Sequence, residues 1–278
     1  MIRTFDELTV VNIEVTSRCN LSCLYCARGR WGGVGQGRDM TPSEFKGIVR
    51  MFPRTTLIAA YLGGEPLLNP YLPGMIAAAR QMGFENVRIH TNGTLIDGAA
   101  ARVLAEMGLT SIVFSIDGAD AGEYECIRGV PFPRVKRGLA DTLDAAEGRM
   151  AVGVQCLVPA GRPLELNRDL ADLAPRLSFT ILDHPHSWTR AGAILESQEI
   201  PPSETPCFFL TRYMAVSADG EYLPCCCCLN HEGALGKVSE MSAREAWDGP
   251  MEEMRQAQER GEAVEPCSGC ERFGLGAA

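Results

Sequence analysis

Apolar residues fall in short runs separated by amphipathic stretches through the first two thirds of the chain. The runs Val10–Thr16, Leu57–Leu62, Val87–Thr91, Ser111–Ile116, Ala151–Val158 and Ser178–Leu182 read as strands. Between them, Pro42–Met51, Pro70–Met82, Asp97–Met107, Phe132–Glu147 and Pro163–Ala174 carry helical spacing. Alternation of this kind predicts parallel strands joined by right-handed crossovers, hence an α/β sheet or barrel. Six such units are too few for a closed eight-stranded barrel, so the pattern predicts a partial (β/α)6 barrel over residues 1–199. The rhythm breaks at Ile200-Pro201-Pro202-Ser203-Glu204-Thr205-Pro206, which reads as a linker. Residues 200–278 then form a small α+β unit. It has a hairpin of Tyr213–Ser217 and Glu221–Leu223 turning at Asp219-Gly220, and a helix over Ser242–Arg260.

The composition is that of a globular protein: 278 residues, 46% hydrophobic and 22% charged. A net charge of −9 with no Lys/Arg block and few aromatics argues against nucleic acid as a partner. A weakly charged small molecule or a peptide fits better. The start, Met1-Ile2-Arg3-Thr4-Phe5, lacks a signal-peptide pattern, and no apolar run approaches the roughly 18 residues of a membrane span. A cytoplasmic protein is expected, in which the 12 Cys stay reduced and point to metal or catalysis rather than disulfides.

Cys19, Cys23 and Cys26 form a C-x3-C-x2-C run directly after the first strand. Three thiolates so close cannot all pair as disulfides, and a [4Fe–4S] cluster normally takes four, so three would leave one iron open. A zinc site completed from elsewhere, or three unrelated buried thiols, are the competing readings. Other strand ends are also polar. Gly63-Gly64-Glu65-Pro66 follows the second strand, Thr91-Asn92-Gly93 ends the third, and Ser115-Ile116-Asp117-Gly118 ends the fourth. Singly each is a turn motif. Together, at one edge of one sheet, they suit a ligand bearing ammonium, carboxylate and ribose groups, with Tyr25 available to pack on a flat base. Gly32-Gly33-Val34-Gly35-Gln36-Gly37 reads as a loop rather than a phosphate cradle, because no strand leads into it.

C-x3-C-x2-C with Tyr25 before the last Cys, followed by Gly-Gly-Glu-Pro, resembles the radical S-adenosylmethionine superfamily over roughly residues 10–185. The resemblance implies that the open iron binds the amino and carboxylate groups of S-adenosyl-L-methionine. One-electron cleavage would then give a 5′-deoxyadenosyl radical that abstracts a substrate hydrogen. It implies contacts from Gly63, Gly64 and Glu65 to the methionyl amino group, and from Asn92, Ser115 and Asp117 to the carboxylate or ribose. Arg128, in Ile127-Arg128-Gly129, would neutralise a carboxylate.

Cys207, Gly220 and Cys225 resemble the opening of a SPASM/Twitch auxiliary-cluster extension, which Cys267-x2-Cys270 would close. The resemblance implies one auxiliary [4Fe–4S] cluster with four protein ligands. A zinc ribbon on Cys225-x2-Cys228 and Cys267-x2-Cys270 is the rival. Cys225-Cys226-Cys227-Cys228 leaves the ligand ambiguous, with Cys225 favoured by its spacing to Gly220.

Among short members the layout is most similar to aminocyclitol and sugar alcohol dehydrogenases of antibiotic biosynthesis. That likeness implies hydrogen abstraction at a carbinol carbon, loss of the hydroxyl proton to a base and transfer of the second electron to the auxiliary cluster. A flavodoxin or ferredoxin would supply the initiating electron. Asp183 and Arg190, in the polar run after the sixth strand, are substrate-binding candidates, and His184 or His186 a proton acceptor. Cys156 is either a hydrogen donor facing the cavity or a small core residue. An epimerase using Cys156 or Cys226, a peptide maturase, and a zinc-stabilised binding protein stay open as alternatives.

Overall fold

A computed structural model describes residues 4–24, 26, 37–158, 161–183, 206–228, 231, 233–262, 264–268 and 270. Its centre is six parallel strands in the order β6-β5-β4-β3-β2-β1. They are β1 (Val10–Ile13), β2 (Leu57–Ala59), β3 (Val87–Thr91), β4 (Ser111–Ser115), β5 (Ala151–Leu157) and β6 (Phe179–Asp183). Helices α1 (Pro42–Val49), α2 (Leu72–Gln81), α3 (Gly98–Glu106), α4 (Ala121–Arg128) and α5 (Phe132–Ala146) fill the crossovers. The result is the partial (β/α)6 barrel that the alternation predicts. Among the described residues no helix is long and apolar enough to cross a membrane.

Strand alternation sorts the side chains. On β3, Val87, Ile89 and Thr91 are buried toward the helices, while Arg88 and His90 point to the concave face. On β5, Val152, Val154 and Cys156 pack under the helices and Gln155 and Leu157 face in. The long helix α5 seals the outer layer through Val135, Leu139, Thr142 and Ala146, spaced three or four apart. Gly138 lets it sit close: a Cβ there would meet the Ile96 and Gly93 carbonyl oxygens at 3.0 and 3.1 Å.

The sheet does not stop at β1. Strand β7 (Tyr213–Val216) pairs parallel with β1, and β8 (Glu221–Leu223) and β9 (Gly236–Lys237) continue antiparallel. After the short α6 (Phe208–Arg212) and this hairpin come α7 (Ala243–Asp248) and α8 (Pro250–Glu259). Trp247 of α7 is fully buried, edge-on to Phe5 with ring centroids 6.3 Å apart. Sheet and core therefore run through both ends of the chain.

Four predicted elements differ, and one helix forms that the pattern did not predict. Ser242–Arg260 is two helices, because Pro250 has no N–H to continue the first and its ring disfavours helical backbone at Gly249, which sits at φ −101°, ψ −103°. Pro163–Ala174 is no α-helix. Only 3₁₀ turns at Arg168–Leu170 and Ala174–Arg176 form, the first held by the Asn167 side chain accepting from the Asp169 N–H. Conversely α4 forms unpredicted, with Asp120 accepting from the Glu123 N–H at 2.9 Å and Gly129 closing it at φ +72°. Strands β1 and β2 end three residues earlier than the apolar runs suggest, releasing Glu14–Thr16 and Ala60–Leu62 into the loops above the sheet.

Candidate active site

A cleft of about 200 Å³ opens at the C-terminal edge of the parallel strands. Cys19, Cys23 and Cys26 form one wall, Gly63, Gly64 and Glu65 another, and Asn92, Ser115, Asp117 and Arg128 complete the lining. Ten of the residues singled out in the sequence thus converge, drawn from separate strand ends. Tyr25, His184 and Arg190 lie outside the described residues, as do His186 and residues 32–36.

Backbone contact sets the first two walls. A Cβ on Gly64 would stand 1.9 Å from the Thr16 carbonyl oxygen and 2.7 Å from that of Arg18, so only glycine fits between the loops. The Glu65 N–H donates to Arg18 O at 2.8 Å, and the Gly63 N–H to Glu14 Oε1 at 3.1 Å. The Glu65 carboxylate accepts from Thr91 Oγ1 at 2.8 Å, the Asn92 N–H at 2.7 Å and the Leu67 N–H at 3.2 Å. Burial pushes its pKa up, against those bonds. The Glu65 side chain therefore fastens its loop to the end of β3 while lining the cleft beside Gly63 and Gly64.

The rest of the lining is braced through α4. Arg128 pairs with Asp117 at 2.6 Å and donates to Cys23 Sγ at 3.7 Å, and Asp117 also accepts from the Leu157 N–H at 3.0 Å. The carboxylate that Arg128 neutralises is thus in the protein. Burial raises the Cys23 thiol pKa and the Arg128 charge opposes the rise. The Leu24 N–H donates to Ile127 O at 2.8 Å, tying the cysteine loop to the C-terminus of α4. Asn92 Nδ2 donates to Asn20 Oδ1 at 2.9 Å and lies 4.0 Å from Cys19 Sγ. Asn92 and Asp117 hold the loop as well as lining the cleft.

Cys156 is placed against its reading as a cavity thiol. It is fully buried on the helix side of β5 and hydrogen-bonds Gly118 O at 3.4 Å, and burial pushes its pKa up to about 11. Its neighbours Gln155 and Leu157 take the inward positions, because strand residues alternate faces. Asp183 pairs in register with Leu157 and so stands on the cleft face at the end of β6. Sequence reasoning missed four residues: Tyr61, His90 and Gln155, which line the cleft, and Glu14, which links the Gly63 and Ala218 N–H groups. The available signal was a polar residue at an inward strand position on β3 and β5.

The C-terminal cysteines gather differently. Cys225 Sγ lies 3.7 Å from Cys228 Sγ and accepts from the Cys227 N–H at 3.4 Å. Hydrogen bonds from Cys227 and Cys228 hold the Cys225 thiol well below its ordinary value. Burial raises Cys267, with further upward pushes from Cys225, Cys270 and Cys207, which places these four sulfurs as neighbours. Cys226 instead acts on Tyr61 and Tyr213, toward the barrel. Each group offers thiols alone, the ligand type that holds iron–sulfur clusters.

A partial parallel barrel carrying three cysteines above its first strand, with a second thiol group after its last, defines an iron–sulfur protein of two centres. The chain belongs to the radical SAM superfamily: that family's model matches residues 13–155, and an iron–sulfur cluster-binding domain model, SPASM, matches 207–271. These domains imply a [4Fe–4S] cluster, an auxiliary cluster and S-adenosyl-L-methionine. The chain is similar to a probable GTP 3′,8-cyclase of Methanothermobacter thermautotrophicus, 29% identical over 136 residues, 48% of this chain and 44% of that protein. It spans less than half the length of that curated relative. In structure it resembles BtrN in complex with AdoMet and 2-DOIA, at TM-score 0.67 and 19% identity, covering 98% of this chain and 94% of that one. It also resembles anSMEcpe with bound AdoMet and Cp18Cys peptide, at TM-score 0.59 and 17% identity, covering 95% and 88%. At such identities the likeness is one of fold.

Proposed function

We propose that the chain oxidises a secondary alcohol of an aminocyclitol or sugar in natural-product biosynthesis. Cys19, Cys23 and Cys26 would hold the first cluster, and Cys207, Cys225, Cys267 and Cys270 the auxiliary one. When bound, S-adenosylmethionine on the first cluster supplies the 5′-deoxyadenosyl radical that takes a hydrogen atom. The observation that carries the substrate reading is the interior of the cleft, where Tyr61, His90, Ser115 and Gln155 offer uncharged hydrogen-bonding groups. Its charged groups are engaged within the protein: Asp117 with Arg128, and Glu65 with Thr91 and the Asn92 N–H. Such a surface suits a neutral polyol more than a nucleotide. The near-complete coverage of BtrN, described with 2-DOIA, supports the same class.

In the balanced reaction a carbinol loses one hydrogen atom from carbon, one proton from oxygen and one further electron. The hydrogen would leave with deoxyadenosine and the proton with a base, and the auxiliary cluster that Cys207, Cys225, Cys267 and Cys270 would hold would supply the acceptor for the electron. Gly63 and Gly64 let backbone approach the cofactor. Arg128 and Asp117 hold the wall beside Cys23. A flavodoxin or ferredoxin is the proposed electron donor.

Anaerobic turnover with reductant and S-adenosylmethionine over aminocyclitols, hexoses and short peptides tests the proposal by mass. Loss of two hydrogens from a polyol supports it. Turnover of a peptide alone overturns it in favour of a maturase. An unchanged mass with deuterium gained from D2O favours an epimerase, for which Cys226, whose charge acts on Tyr61 and Tyr213, would be the candidate thiol to return hydrogen.

A further inference from the structure

His90 is the last inward-facing residue of β3, two positions before Asn92, which follows the strand end, and so lies about 6.6 Å deeper into the barrel. Asn92 touches the cysteine loop through Asn20, so the layer of His90 lies beneath the one that builds the cluster site. Its ring is stacked on Tyr61, with centroids 3.9 Å apart and planes 20° from parallel. Nδ1 lies 3.1 Å from Gln155 Oε1, on β5. A carbonyl oxygen only accepts, so Nδ1 carries the ring proton and Nε2 is left as a bare lone pair. Nε2 is buried and has no hydrogen-bond partner among the described residues, yet the residue lines the cleft. A buried acceptor without a donor is unfavourable, and a ligand that supplies one is favoured over an analogue that cannot.

The geometry points to His90 Nε2 as the fixed hydrogen-bond acceptor of the substrate subsite, which selects a substrate presenting an O–H or N–H at the depth of the cleft. The inference rests on the alcohol-oxidation reading only in taking that donor to be the carbinol hydroxyl. Four groups set the character of the site: Gln155 fixes the tautomer, Tyr61 fixes the plane, Ser115 stands beside Gln155 in register, and the Arg88 charge lies below. Burial and Arg88 together disfavour the imidazolium, so the ring orients the donor and is poorly suited to keep its proton.

Two measurements test this. In frozen holoprotein labelled with 15N-histidine, the signal lost in His90→Phe should be a neutral ring protonated at Nδ1, the same at about pH 5.5 and about pH 8. A proton on Nε2, or an imidazolium at the lower pH, overturns the inference whether or not a substrate is known. With any polyol from the panel that the wild type turns over, His90→Phe keeps the stack on Tyr61 but removes the acceptor. It should lower kcat/KM about tenfold, mainly through KM, with iron content and S-adenosylmethionine binding unchanged. His90→Gln, whose amide oxygen can still accept, should restore part of the loss. Gln155→Met, which frees the tautomer, should lower kcat/KM about threefold should the Phe variant not fold. A His90→Phe enzyme within twofold of wild type for every polyol sinks the subsite. Failure of all panel compounds with the wild type sinks the substrate reading and leaves the nitrogen spectrum to decide on His90.

Discussion

The two cysteine groups are built on opposite plans. Around Cys19, Cys23 and Cys26 the sulfurs face a cleft, and the protein braces them from outside with the Glu65 clamp, the Asp117–Arg128 pair and the Asn92–Asn20 bond. Around Cys225 the sulfurs face one another, 3.7 Å apart at Cys228, on a turn after a short hairpin. One group lines an open cleft, and the other is a cluster of cysteines packed behind the hairpin. The contrast teaches that ligand count alone does not separate a substrate-facing centre from an electron relay. What surrounds the ligands does.

The sharpest test of that contrast removes one thiolate from each group. Cys19→Ala should abolish deoxyadenosine formation and remove roughly half of the iron, because three ligands leave no spare. Cys267→Ala should also remove roughly half of the iron but keep deoxyadenosine formation while losing alcohol oxidation. Iron assay and chromatography of the nucleoside product read both. If Cys267→Ala abolishes cleavage too, the groups are not functionally separate.

The next largest effect concerns bracing. Arg128 and Asp117 side chains are 15% and 3% exposed, so Arg128→Leu leaves an unpaired buried carboxylate and should cost about 3–5 kcal/mol in urea unfolding. Asp117→Leu with Arg128→Leu should cost less than the single change. Equal losses would show that the pair does not hold the wall.

How much of this was legible depended on sequence distance. β3 was read to the residue, and the three cysteines and the strand-end motifs were visible because each is a local string. Helix α4 was missed because its eight residues carry only Tyr124 and Ile127 as buried anchors, although Asp120 and Gly129 are ordinary caps. Pro163–Ala174 was misread because spaced leucines mimic a helix where Asn167 makes a tighter local bond. His90 and Gln155 were out of reach: they meet across 65 residues, and only strand register turns both inward. Glu14 was hidden likewise, since one of its two partners is Ala218, 204 residues on.

The cleft should also carry a pH dependence. Burial first, then the Arg88 charge, holds the His90 ring down to about 3 from 6.5. Between those values the unfolded chain binds the extra proton, so stability from the neutral ring is complete above 6.5 and is lost as pH falls. Lowering pH from about 6.5 to about 5 should cost wild type about 2 kcal/mol through this residue. Glu14 and Glu65, raised above 4.5 by burial, act with the opposite sign, since there the native state binds more protons. The difference between wild type and His90→Phe in urea midpoints across pH isolates the imidazole. A pH-independent difference would mean that the ring is solvated.

The smallest effect asks whether the two regions fold apart. Ser242 caps α7, accepting from the Glu245 N–H at 3.2 Å, and Ser242→Ala should cost about 1 kcal/mol. Strand β7 pairs with β1, and Trp247 packs on Phe5, so α7 cannot melt without exposing the first core. The lost cap should therefore move one cooperative transition by about 2 °C, coincident in tryptophan fluorescence and circular dichroism. An early transition seen in fluorescence alone would make residues 206–270 an independent unit. The continuity of the sheet argues for the single transition, because the hydrogen bonds of β1 to β7 break only when the barrel's own edge is exposed.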